Sequence, residues 1–332
     1  MGRNYFITFV LFITLIIVSG WLFLPGYLDQ RIKATVAGIS TTASNLPGLI
    51  SPTPKSIDLN NIILYVSDVS GNNEIYMMDI TEKKPINLTN DPAEDMNPQL
   101  SPDGKTIVFF SDRAGNNQIY RMELETKEVV ALTRNNAQDF DPSYSPDGTK
   151  IVFKSNRDDN LGDIFIMNDD GTGQKNLTPT RKTTEEWDPV FSKDGSHIYF
   201  VVRSGTNDQT DELFMINNDG GGIKQLTNNK IVDWYPSVNP KNGKILFVSR
   251  DPDGTTDDLF IMDENGTNRQ RVISLLGNDA DPAWDGTGER IVFIRENETD
   301  YDLFLMNADG SNLEKLLTTP KDELSPIFAT NK

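Results

Sequence analysis

Six acidic side chains stand one per repeat along this sequence: Asp95 in DMNP, Asp139 in DFDP, Glu186 in EWDP, Asp233 in DWYP, Asp279 in DADP and Glu323 in ELSP. Two residues on, Asn97, Asp141, Asp188 and Asp281 add a second polar layer. Glu74, Asp163, Glu212, Asp258 and Asp302 open a further recurring run, in which Gln118 is the exception. Carboxylates gathered around one axis focus a negative field and collect a cation or a basic peptide, and their pKa values rise unless a cation neutralises them. The same acids, each accepting backbone N–H bonds in its own repeat or pairing with Arg113, Arg157 or Arg250, would build architecture alone. The two readings can hold together. In a separate stretch, Asp251, Asp253 and Asp257 space oxygens around Gly254 in the manner of a calcium loop. Its twelfth position is Met262 rather than a bidentate Glu, so it is no EF-hand, and Ca²⁺ there is a weaker reading than a solvated acidic loop.

Other chemistry is tested by subtraction. His197 is the only histidine and aligns with Thr106, Lys150, Lys244 and Arg290, just after a hairpin turn where side chains meet water. With one such His and no Cys there is no Ser-His-Asp triad, no Cys-His pair and no histidine-built zinc or manganese site. No GxSxG, GxGxxG or Walker motif is present, and Gly220 to Gly222 fall in a turn. Paired carboxylates suffice to cleave a glycoside, but nothing singles out one pair from the repeat.

The elements that must position these residues are themselves repeated. SPDGKTIVFF at 101, SPDGTKIVFK at 145, SKDGSHIYFV at 192, NPKNGKILFV at 239 and DGTGERIVFI at 285 are one phrase, spaced 44, 47, 47 and 46 residues apart. A sixth copy, without its opening turn, begins at Asn61. Each unit has the length and the four strand-like runs of a propeller blade. The second run (IVFF, IVFK) and the third (IYMMD, IFIMN, LFIMD) are apolar on both faces, as strands between neighbouring blades must be. The Met series at 78, 122, 167, 262 and 306 reads as packing between blades, as do Trp187, Trp234 and Trp284, for which a ligand platform is the weaker alternative. In SPDG, Pro is preset for a type I turn and Gly takes the positive φ that follows. Asp170-Gly171, Asp219-Gly220, Asn265-Gly266 and Asp309-Gly310 read as two-residue hairpins, and the Thr81 to Lys84 and Glu125 to Glu128 connections as longer ones. The chain ends with Ser325-Pro326-Ile327-Phe328, a first-strand phrase, so the ring closes by lending that strand to the first blade.

The phrase DPSYSPDGTKIVFKSNR at 141 to 157, followed by DIFIMNDDG and NLT, resembles the WD-like repeat of the TolB-like six-bladed β-propeller family over residues 61 to 328. The resemblance implies a propeller and a habit of binding other proteins. The family's namesake carries an α/β domain before its propeller, which this sequence replaces, so a Tol–Pal role is not implied. The fold expected is therefore all-β, with four antiparallel strands per blade, preceded by one N-terminal transmembrane helix. Residues 1–28 read as a membrane anchor or signal peptide, because Tyr5 to Leu24 is an uncharged stretch about as long as a bilayer core is thick. Residues 29–60 read as a Ser/Thr/Pro linker without aromatics, and 61–332 as the propeller. The propeller is expected outside the cytoplasm, membrane-anchored, or secreted or periplasmic if the segment is cleaved near Ala34 or Ala37.

Residues 61 onward carry 27 basic against 47 acidic side chains, a net −20 that repels phosphate backbones and anionic lipid. Nucleic acid is excluded as a partner, and a basic surface or segment of another protein is favoured. Three functional readings follow: a monomeric, non-catalytic protein-binding scaffold; a carboxylate-dependent hydrolase or lyase; and a stand-alone relative of the propellers that gate prolyl-oligopeptidase-type enzymes. No hydrolase domain accompanies the repeats, and lyases that use a His lack one here. The scaffold needs nothing the residues do not supply, and no cofactor.

Overall fold

The computed structural model describes residues 61–179, 183–204, 211–229, 231–274, 277–317 and 319–329, all within the compact unit Ile57–Lys332. The apolar stretch 5–24 and the linker 29–60 lie outside the described residues. Among the described residues no helix is long and apolar enough to cross a membrane.

The repeated phrase produces six four-stranded antiparallel sheets, the blades of a propeller. In five of them the strands follow chain order outward from the axis. The first blade is assembled from both ends of the propeller sequence: β24 (Glu323–Phe328) pairs with β1 (Ile62–Ser67), which pairs with β2 (Glu74–Asp79) and then β3 (Ile86–Asn87). The closure expected from the terminal phrase is therefore present. It satisfies an edge of β1 that would otherwise stand open for pairing with another chain.

What holds blade to blade is apolar burial on both faces of the middle strands. Each of six buried clusters joins two neighbouring blades; one sets Leu64, Val66 and Ile75 against Ile107, Phe109 and Met122. The Met series is buried in these clusters, as is Trp284. Every blade carries one aromatic cross-strand pair at its centre, from Tyr65 and Tyr76 at 5.7 Å to Phe293 and Phe304 at 5.8 Å between ring centroids. Such pairs add to area burial by about 0.5–1.5 kcal/mol each.

The turns follow their residues. Gly104 takes a φ of 73° and donates its N–H to the Ser101 carbonyl, while Asp103 accepts bonds from Ser101 Oγ and the Lys105 N–H. The same construction, led by the Ser196 N–H, holds Asp194 down to about 2. The Asp-Gly tips enclose three residues rather than the two expected, since the Asn168 N–H bonds the Thr172 carbonyl around Gly171. Gly171 is required twice over, by its φ of 85° and because a side-chain carbon there would lie 2.5 Å from the Leu132 carbonyl oxygen of the next blade. The early tip closed by Glu123 and Glu128 is one residue longer, with Lys127 in the left-handed conformation. The threonine after the recurring leucine of the fourth run also has a structural task, because Thr133 Oγ1 accepts the Ile119 N–H at 2.9 Å and Thr178 Oγ1 the Ile164 N–H at 3.0 Å.

Deleting residues 324–332 removes nearly all of β24 and bares β1. The truncated protein is expected to form concentration-dependent oligomers by light scattering, whereas a monodisperse monomer would show that β24 is dispensable.

Candidate functional site

The inner strands are β4 (Asp95–Leu100), β8 (Asp139–Tyr144), β12 (Thr184–Phe191), β16 (Asp233–Val238), β20 (Asp279–Trp284) and β24. The six acids at or near their starts are all buried. Each is held within its own blade. Arg113 donates twice to Asp95 at 2.8 Å, Arg157 to Asp139 at 2.9 and 3.0 Å, and Arg295 to Asp279 at 2.6 and 3.1 Å. Asp233 faces Arg269 at 3.5 Å and accepts from Asn229 at 2.8 Å. Arg250, expected as another partner for this set, pairs instead with Asp257 at 2.8 Å. Where the acid is Glu, a threonine hydroxyl donates to it: Thr184 to Glu186 and Thr319 to Glu323.

These arginines also lie across the aromatic pairs. Arg157 is 5.4 and 4.7 Å from the Phe153 and Phe165 ring centroids, and Arg295 is 5.3 and 5.1 Å from those of Phe293 and Phe304. Burial nonetheless raises Asp95 and Asp233, takes Asp279 up to about 6, and takes Glu323 up to about 7. The acids that open the third strands are local as well: Glu74 Oε1 accepts the Asp91 N–H at 2.8 Å, and Gln118 Oε1 the Asn135 N–H at 3.0 Å. This equivalence explains why an amide can stand in the series.

The residues two further along form the surface around the axis. In every inner strand the pairing slips at a bulge, and there Asn97, Asp141, Asp188, Tyr235, Asp281 and Ser325 adopt φ values of 46° to 51°. A left-handed residue other than Gly is uncommon, and such strain costs on the order of 1–3 kcal/mol. Six at one level of the axis mark a constraint imposed by the ring, since a bulge re-aims the side chain it carries. The six form a half-buried collar at one end of a central cavity of about 330 Å³. Its wall is the ring of buried prolines that follows, Pro98, Pro142, Pro189, Pro236, Pro282 and Pro326, and its other end is rimmed by the turn residues Pro102, Pro146, Lys193 and Pro240.

The sequence pointed to four collar members but missed Tyr235 and Ser325. The residue preceding each first-strand proline is the signal that identifies all six. Hydrogen bonds run around part of the collar: Ser325 N–H to Asp281 Oδ2 at 3.0 Å, Ser325 Oγ to Asn97 Oδ1 at 2.7 Å, and Asn97 Nδ2 to Asp141 Oδ1 at 2.6 Å. Burial raises Asp141 and takes Asp281 up to about 6. Asp188 is pushed well above the usual carboxylate range, first by burial and then by the charges of Asp141 and Asp281. The Asp281 charge, with burial, also raises the Tyr235 phenol.

The remaining sequence candidates lie elsewhere. His197 is half-buried beside a turn, with Nδ1 2.7 Å from Ser196 Oγ. Asp251 pairs with Arg271, and Asp253 caps its own turn by accepting from Thr255 Oγ1 at 2.7 Å. Among the described residues no three His, Asp or Glu side chains converge as a metal set. Trp187 and Trp234 pack around Tyr235 with ring centroids 6.4 Å away, so they join the collar to the blades rather than forming a separate platform.

A six-bladed ring with a bulged inner strand in every blade defines the class of protein. Residues 30–184 and 186–332 match the family described as TolB beta propeller domain, and the chain belongs to that family. Among solved structures it is similar to TolB from Acinetobacter baumannii, at 20% identity and a TM-score of 0.69 over 93% of this chain and 75% of that one. A putative TolB from Agrobacterium tumefaciens gives 20% identity and a TM-score of 0.63, covering 77% and 87% of the two chains. Likeness at this identity shows the fold. An uncharacterised protein of Agrobacterium fabrum is 28% identical over 146 residues, 41% of this chain and about half (48%) of that relative's length.

Two outcomes test the electrostatics. Arg157→Ala leaves Asp139 buried without its guanidinium and should lower unfolding free energy by about 3–5 kcal/mol, whereas Lys83→Ala, which breaks an exposed pair with Glu314, should cost at most about 1 kcal/mol. Both are read from denaturant melts. Asp281 has its folded pKa raised, so the folded state binds the extra proton and stability falls as pH rises from about 4 through about 6. Asp281→Asn keeps an acceptor for Ser325 and should match the parent near pH 4 but exceed it at pH 8, by on the order of 1–3 kcal/mol.

Proposed function

We propose that this protein is a non-catalytic scaffold, tethered to a membrane by residues 5–24 with its propeller outside the cytoplasm, and that a basic segment of a protein partner enters the central funnel. One observation carries the reading. The charged side chains lining the cavity are three collar aspartates and Lys193, and the Lys193 Nζ is turned onto the Lys241 carbonyl at 2.7 Å. The described lining therefore carries more acidic than basic side chains behind a rigid proline wall, within a propeller of strongly acidic composition. Carboxylates in such a cleft raise the local concentration of cations and steer basic partners toward it. The single histidine lies at a turn rather than on the funnel, and the reading requires neither a nucleophile nor a cofactor.

Two measurements test this reading. Full-length protein should stay in the pellet when membranes are washed with carbonate; release with a mature N-terminus between Ala34 and Ile39 would replace the anchor by a cleaved signal. Affinity capture of partners from solubilised membranes should weaken as salt rises from 50 to 500 mM and disappear in a triple Asn variant of Asp141, Asp188 and Asp281 that melts cooperatively. Undiminished capture by that variant would remove the funnel from partner binding.

A further inference from the structure

The three collar aspartates are not equivalent. Asp141 and Asp281 are tied into the hydrogen bonds that run through Asn97 and Ser325, at 2.6 and 3.0 Å. Asp188, between Asp141 and Tyr235 in ring order, borders the same cavity, and its buried Oδ2 has no hydrogen-bond partner. A buried carboxylate oxygen without a donor costs on the order of 1–3 kcal/mol, so a donor supplied from outside is favoured there.

We propose that Asp188 is the charge-binding residue of the funnel and that it takes one alkyl-ammonium or alkyl-guanidinium group, presented end-on at the tip of an unbranched chain. This rests on the reading of the funnel as a binding site. A compact divalent ion is disfavoured because it needs several ligands around one point, and among the described residues no such set converges. A cation with several N–H donors can reach one carboxylate directly and its neighbours around the collar in turn. The wall supports the same choice. Prolines have no N–H to offer a polar cargo, so the funnel between rim and collar suits an apolar stem. From Asn97 to Pro102 the strand rises on the order of 15 Å, which favours a long, narrow ligand over a branched one.

The charged groups around Asp188 link this binding to protons. Asp141 and Asp281 face it from the collar and Asp211 from the start of β14 (Asp211–Asn217), with Tyr235 adjacent. Among the described residues, Lys154 on β9 (Lys150–Ser155) acts on it with the opposite charge, and its Nζ is held by Glu185 at 2.6 Å. Burial and then these acids push the Asp188 carboxyl well above its ordinary value, and an entering cation pulls it back down. Ligand uptake is therefore coupled to proton release and tightens as pH rises, by at most about tenfold per pH unit.

The test uses full-length protein in detergent, titrated calorimetrically with agmatine, with a hexapeptide bearing a single N-terminal arginine, and with neutral butylurea. Each titration is run in two buffers of different ionisation enthalpy. At least one cationic probe should bind with release of protons while butylurea binds at least about tenfold more weakly, and the tighter probe identifies a free amine or a chain end as the source. Asp188→Asn should lose both the binding and the proton release, and Lys83→Ala, which changes an exposed lysine outside the cavity, should keep them. Butylurea binding as well as the cations, or neither cation binding the parent protein, overturns the proposal even if Asp188→Asn fails to fold. If Asp188→Asn folds and still captures the partner, the scaffold stands and this assignment of Asp188 falls.

Discussion

Every blade buries both of its faces against a neighbour, and this one constraint governs the rest of the molecule. Because the middle strands are apolar on both sides, an isolated sheet would leave two sticky faces in water, so stability belongs to the ring rather than to any repeat. The ring in turn demands a closing strand, which β24 supplies. It also crowds six inner strands around one axis, where the bulge and the following proline appear in every blade. The collar is thus a by-product of closure that has been filled with carboxylates.

The two tiers of acids answer to different forces. The outer six are taken out of water, and four of them are matched by guanidinium groups lying on aromatic rings, so their charge is enclosed by their own blade. Among the described residues no guanidinium pairs with the collar aspartates, and burial, then their mutual repulsion, raises their pKa values and opposes their ionisation in the free protein. A site that lowers stability in the absence of a partner is a common companion of binding, because the energy lost in the free state is recovered when opposite charge arrives.

Much of this was legible before any coordinates. The spacing of SPDG, the two-sided apolar runs and the orphaned phrase at Ser325 define the blade count and the way the ring closes. The inward step from Asp95 to Asn97 was not legible, because it depends on a bulge that flips the pleat and reverses which residue faces the axis. A strand read with strict alternation places the wrong carboxylates at the channel. The arginine partners were half visible: Arg113 and Arg157 follow the second strand directly, whereas Arg269 reaches Asp233 from a turn 36 residues on, which no local pattern reveals.

The shared first blade also sets a schedule. Strand β1 is made early in the propeller sequence, and its partner β24 follows only after the other five blades. At about 5–20 residues per second the interval between them is on the order of 13 to 50 s. Throughout that time β1 carries a bare hydrogen-bonding edge and a face destined for the sixth blade. The nascent ring is therefore most vulnerable to mispairing before its closing strand arrives, however stable the finished ring becomes.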